Sequence, residues 1–389
     1  MRMKTPALLT GPYDWDPALI PVTEFERRLA AVRQVLAEQN ISLLLVHGNS
    51  IEYGELAYLT AFAPKLGSAL AMVPLEGPIR LLISGSSTML SAAKRLTWVE
   101  NLDALSNLRI ALNDRLPDAA RSETPRIGIW GHRTMTRRLH AAIDSVVQPL
   151  GTIAELASLL DPLRLHKSPC ELELLRRASA ILAVAIRALI DAAGSGCGVR
   201  SGVLAAERAA FDNGAQDVRT LASATDGAPP IAFDGLEDIA VKPLLACIAV
   251  RFAGYWAEGF VTVGAEGESF AGAQRALAAM LREARAGTTF AELESIAARH
   301  LSPHVSHPFI DSAVCNSVGL TLEELPESDL HDTSQLCEGV VYSLRTGAAA
   351  AGKDIAIVSA MLAVTQAGIE VLWSALDSLA VRPANRDSR

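Results

Sequence analysis

The chain has 389 residues, half of them hydrophobic and a fifth charged, with a formal net charge of −8. That length exceeds what one core usually fills, so two domains are expected. The acidic balance, with no basic stripe, argues against a nucleic-acid partner. Five cysteines without a C-x-x-C pair point to a reduced, cytoplasmic protein, and no apolar run is long enough for a secretory core or a membrane span.

From Val22, "VTEFERRLAAVRQVLAEQN" sets Phe25, Leu29, Val32 and Leu36 at helical spacing, with Thr23 as a candidate N-cap. "ISLLLVHG" reads as a buried strand, and "SALAMVPLEGPIRLLIS" as two strands turning at Glu76–Gly77–Pro78. A helix over "STMLSAAKRL" and a strand over "RIGIWG" follow, so an α/β layer extends to about Leu160. The pattern then changes. Ser168 can cap and Pro169 suits a first helical turn, and the apolar positions run on to Gly194. The domain boundary is placed near Asp161–Pro162, giving domains 1–160 and 161–389. Beyond it come a helix over "RSGVLAAERAAFDNGA", a hairpin turning at Ala253–Gly254, two more helices from "ESFAG" and "TFAEL", and strands around Val341–Leu344 and Ile355–Val364. This is an α+β domain of helices on a curved, mostly antiparallel sheet. Arg137–Arg138 and Arg176–Arg177 read as solvated helix faces, and the tail "VRPANRDSR" as disordered.

Several stretches in this order resemble the creatinase and aminopeptidase P family (peptidase M24, the pita-bread fold). "ERRLAAVRQVLAEQNISLLLVHG", "LAYLTAFAPKLGSALAMVP" and "TWVENL" are similar to its N-terminal domain. "HKSPCELELLRRAS", "FAGYWAEGFVTVG", "CNSVGLTLEELP", "LCEGVVYSLRTG" and "AIVSAMLAVTQAGIEVL" are similar to the C-terminal one. The resemblance implies an α/β N-terminal domain plus an α+β pita-bread C-terminal domain, and a homodimer.

In the family's metallopeptidases two Asp, one His and two Glu hold two divalent ions, which several anionic oxygens and an imidazole neutralise. Carried across motif by motif, those positions are Cys247, Glu258, Asn316, Arg345 and Ser359. One acid survives, and a cation stands where an anion is required. Asp354 would need a larger shift to join. The resemblance therefore implies neither metal nor other cofactor here. Creatinase works without metal but through a loop histidine, and "LASATDGAPPIAFDGLEDIAVKP" contains none. A second cleft histidine of the peptidases is replaced by Glu323, before Glu324.

The five positions are expected to converge on one cavity, with Tyr255, Glu323 and Glu324 at its rim. Two readings of Glu258 and Arg345 stay open. In one, Arg345 anchors a substrate carboxylate while Glu258 or Glu323 moves a proton; in the other they form a structural ion pair. Cys247 is either a packing side chain or a nucleophile. Cys315 is expected nearer solvent, and a Cys–His dyad would need His304 or His307. Asn316 can stabilise an oxyanion or a turn, and Ser359 can meet a substrate or a neighbouring backbone group. In the N-terminal domain, Tyr58 and Lys65 are weighed as contributors to a partner subunit's cleft against a core role for Tyr58 and Phe62. His47 is assigned to capping or packing.

The expectation is thus a metal-independent enzyme that hydrolyses or eliminates at a C–N bond of a small amino-acid-like or amidino substrate carrying a carboxylate. Glu258, Glu323 and Cys247 are the candidate catalytic residues, and Arg345, Asn316, Tyr255, Ser359 and Glu324 the candidate binding residues. The alternatives are an inactive aminopeptidase P homologue that serves as a binding scaffold and, third, an Xaa-Pro aminopeptidase with an altered metal site.

Overall fold

The structure is a computed structural model that describes residues 15–85, 87–119, 125–149, 151–301, 315–324, 334–350 and 355–380. The tail, His304, His307 and Asp354 lie outside the described residues. The chain packs as two compact units, Met1–Arg164 and Leu165–Arg389.

The first unit is built on one mixed sheet of six strands: β1 (Leu43–Asn49), β2 (Ser68–Pro74), β3 (Arg80–Ile83), β4 (Asn101–Ala104), β5 (Arg126–Trp130) and β6 (Thr152–Glu155). Their order is β4-β3-β2-β1-β5-β6. β1 pairs parallel with β5 and antiparallel with β2, so it is central and buried on both faces. This is why it reads as an unbroken apolar run rather than an alternating one. Leu43 and Leu45 share a core with Ile127, Ile129, Leu112 and Ile143, the last two from helices Leu108–Ala119 and Arg137–Val147. The helix Val22–Glu38 buries Phe25, Leu29, Val32 and Leu36 as its spacing requires. Its N-cap, however, is Pro21, which offers no side-chain hydrogen bond, and Thr23 lies inside the helix.

The second unit opens on the helix Pro169–Gly194. Ser168 accepts from the backbone of Glu171, whose carboxylate returns the bond to Ser168 N, a full capping box with Pro169 in the first turn. The helix packs on the hairpin of β9 (Leu244–Phe252) and β10 (Tyr255–Val263). Both turn residues have positive φ, Ala253 at 46° and Gly254 at 91°. That is the left-handed turn favoured in two-residue hairpins. β9 also pairs with β7 (Asp217–Ser223), and β7 with the short β8 (Pro230–Ala232), giving the sheet β10-β9-β7-β8. Gly259 permits the close packing. A Cβ there would stand 2.7 Å from the Trp373 ring and 2.8 Å from Ile186 of the helix.

A second antiparallel sheet orders β11 (Cys315–Ser317), β12 (Val341–Ala349), β13 (Ile355–Thr365) and β14 (Gly368–Ser374). β14 covers only the second half of β13, from Ala360 on. The first half offers its free edge to β10, and side-chain hydroxyls fill it. Thr262 Oγ1 donates to Ile357 O (2.9 Å) and accepts from Ile357 N (2.8 Å), while Ser359 Oγ accepts from Phe260 N (2.8 Å). All of these groups are buried. Among the described residues no helix is long and apolar enough to cross a membrane.

Replacing Thr262 by the near-isosteric Val strands a buried N–H and a buried C=O together, at about 1–3 kcal/mol per group. Urea unfolding of the variant should show a loss of about 2 kcal/mol or more. A loss within error of zero would mean that the hydroxyl does not join the sheets.

Candidate active site

Strand alternation assembles the site. Cys247 lies opposite Phe260 across the hairpin, and Glu258 is two residues before Phe260, so Cys247 and Glu258 share a face. On the other sheet, Asn316 pairs with Ser343 and Arg345 with Ser359, and Ser343 and Arg345 are two apart on β12. These four therefore share a face as well. The two faces meet. Asn316 Nδ2 lies 3.4 Å from Glu258 Oε1, and the Arg345 guanidinium sits 5.2 Å from the Phe260 ring centroid.

Glu258 is 7% exposed. Burial is the largest influence on its carboxyl and drives the pKa up; the Glu323 charge adds to that. The Ser343 hydroxyl, the Arg345 charge and the Asn316 amide pull it down without cancelling the rise. The Ser343 pull comes without a hydrogen bond of normal length, for Ser343 Oγ is a buried polar atom with no partner. Arg345 acts on Glu258 through its field.

Burial raises the thiol pKa of both cysteines at the site. Cys247 keeps part of its surface open, but enclosure of its thiol and the nearby Glu258 charge push its pKa well up, and Arg345 offsets only part of this. A thiolate nucleophile is disfavoured there, which favours packing over nucleophile for Cys247. Cys315 is fully buried on β11 with its thiol pushed up by that burial, not nearer solvent.

Three binding assignments are corrected as well. Tyr255 is not on a rim: it is fully buried, and its hydroxyl donates to Glu171 Oε1 (3.0 Å), tying the hairpin to the capping box. Ser359 Oγ is engaged by Phe260 N. Glu324 is 2% exposed and turns inward. Its Oε1 accepts from Thr321 N (3.3 Å) and lies so near Gly319 that a Cβ there would stand 2.4 Å away. Glu323 alone of the pair is exposed, with its charge within reach of Glu258. In the first unit, Tyr58 is core, its hydroxyl on Leu163 O and the Arg28 guanidinium 4.6 Å over its ring; Phe62 is fully buried and Lys65 exposed. His47 is buried with Nδ1 on Gly131 O (3.0 Å), and its pKa is lowered by burial.

Asn316 takes a definite orientation. Its Nδ2 donates to Leu322 O (2.9 Å), which fixes the amide, and leaves the buried Oδ1 without a partner. Ser343 was not singled out in the sequence. The signal for it was its place two residues before Arg345, on the same face of an alternating strand.

No family model and no curated protein matches the sequence. Solved structures do. The prolidase of Pyrococcus horikoshii is 17% identical, with 89% of this chain and 97% of that one covered at a TM-score of 0.71. The X-Pro aminopeptidase of Thermotoga maritima is 18% identical, with 89% and 97% covered at 0.70. A variant of Escherichia coli aminopeptidase P is 17% identical, with 90% and 94% covered at 0.69. The chain has the pita-bread fold.

The dinuclear centre of that fold does not fit the residues present. Cys247 holds its proton, Ser359 already accepts a backbone bond, and Asn316 is neutral. Arg345 brings a positive charge to bear on both Glu258 and Cys247. Among the described residues no three His, Cys, Asp or Glu side chains stand close enough to hold an ion. One carboxyl beside a guanidinium cannot neutralise two dications.

Because the Glu258 carboxyl is raised in the fold, the native state keeps a proton that the unfolded chain releases near its ordinary 4.5. Its contribution to stability is therefore present below that pH and lost as pH rises through the folded value. Relative to Glu258→Gln, the wild-type chain should lose stability in urea as pH rises above the ordinary 4.5 of a glutamate. Parallel pH curves for the two proteins would contradict the raised carboxyl.

Proposed function

We propose that the chain is a metal-independent pita-bread hydrolase or lyase that breaks a C–N bond in a small amino-acid-like or amidino substrate carrying a carboxylate. The observation that carries this reading is a buried carboxyl, raised by its surroundings, set beside a guanidinium and two buried polar atoms without partners, Asn316 Oδ1 and Ser343 Oγ. A carboxyl whose surroundings favour its protonated form is suited to general-acid work. Glu258 delivers that proton to the departing nitrogen as the C–N bond breaks. In hydrolysis the attacking water restores the proton; in elimination the proton lost from the adjacent carbon restores it. Arg345 binds the substrate carboxylate. The same reading carries the expectation of a cytoplasmic homodimer.

A second reading, a binding scaffold without turnover, is favoured by how many family positions are spent on structure: Ser359 on Phe260 N, Tyr255 on Glu171, Cys247 as a protonated thiol.

The test is a panel of carboxylate-bearing amides, ureas and amidines assayed for release of ammonia or amine. On the substrate so found, Glu258→Gln should lower kcat by about a hundredfold or more with KM little changed. Wild-type turnover in that variant would remove Glu258 from the chemistry. A panel bound but never cleaved would favour the scaffold.

A further inference from the structure

The unpartnered acceptor says more about the ligand than the charges do. Leu322 O takes the Asn316 amide N–H, which fixes the amide and leaves Oδ1, on a residue 5% exposed, with no donor. Ser343, opposite it in the ladder and fully buried, presents a hydroxyl that also lacks a partner. A buried acceptor of fixed direction favours a ligand that supplies an N–H, and discriminates strongly against one that does not.

The acceptor offered is a neutral amide oxygen. A guanidinium or ammonium calls for a carboxylate; Glu258, the acid that touches this amide, already accepts from Asn316 Nδ2 and lies within the field of Arg345, Glu324 is held by Thr321 N, and Glu323 is exposed. Burial that favours the neutral acid weakens it further as a counter-ion.

Spacing gives the rest. Asn316 is diagonal to Arg345 across β11 and β12, and such neighbours are about 7–8 Å apart. A ligand whose nitrogen meets the amide oxygen and whose carboxylate meets the guanidinium would lie across neighbouring positions of one sheet face.

We infer that the site selects amino-acid derivatives whose nitrogen is a neutral amide or ureido N–H beside the carboxylate, and rejects the guanidinium and ammonium analogues. This rests on the reading of Arg345 as the carboxylate anchor.

N-carbamoylglycine and guanidinoacetate make the test, since they share shape and carboxylate and differ in carrying a neutral ureido or a cationic guanidinium group. By titration calorimetry on the full chain, N-carbamoylglycine should bind at least about tenfold tighter, as expected when a buried polar partner is matched rather than mismatched. Asn316→Asp, which adds a negative charge at the acceptor, should move the preference toward guanidinoacetate. Arg345→Leu should abolish binding of both. Guanidinoacetate bound as tightly as N-carbamoylglycine by the wild type, or more tightly, overturns the selectivity while leaving the carboxylate anchor in place if Arg345→Leu still loses it. Binding of neither acid removes the anchor, and the inference with it.

Discussion

A buried carboxyl, Glu258, standing in the field of a guanidinium governs this site. Glu258 occupies a position where related folds gather several anions, and Arg345 occupies another. The pocket can therefore neither seat a pair of dications nor leave its acid fully ionised without cost. From that one exchange of sign the rest of the site follows. The thiol of Cys247 keeps its proton, and the Glu258 carboxyl is drawn toward its neutral form. The charge at Arg345 favours an anion over a metal ion.

The scaffold makes this arrangement rigid. Two antiparallel sheets meet where β14 stops covering β13. The exposed ladder is closed by hydroxyls instead of a further strand, Thr262 on Ile357 and Ser359 on Phe260 N. Because Phe260 also carries Arg345 over its ring and lies two residues from Glu258, the seam that joins the sheets also sets the distance between acid and guanidinium. Tyr255, at the start of the same strand, fastens it to the capping box of the long helix. Residues that a motif comparison marks as functional are thus partly consumed in holding their neighbours still.

Local signals were legible in the sequence and long-range ones were not. The Ser168–Pro169 start and the Ala253–Gly254 turn follow from spacing alone, because each depends on residues a few positions apart. The convergence of Glu258, Asn316 and Arg345 followed from the motif order. Sequence reading missed interactions that cross between distant segments. Tyr255 meeting Glu171, Ser359 taking Phe260 N and Glu324 folding under Gly319 are each chosen by packing that no local pattern encodes. Thr23 failed as a cap because the helix already starts at Val22, after Pro21 as N-cap. Ser343 stayed hidden because a serine on a strand carries no signal until its buried hydroxyl is seen to lack a partner.

The account turns on the sign of the charge that Arg345 places among the family positions, and manganese reports on it directly. Purified full-length chain titrated with Mn(II), followed by electron paramagnetic resonance, should leave the free-ion signal undiminished, with no saturable binding up to about millimolar metal, as one carboxyl beside a guanidinium demands. Loss of the signal at two ions per chain, with both ions released by Glu258→Gln, would contradict it.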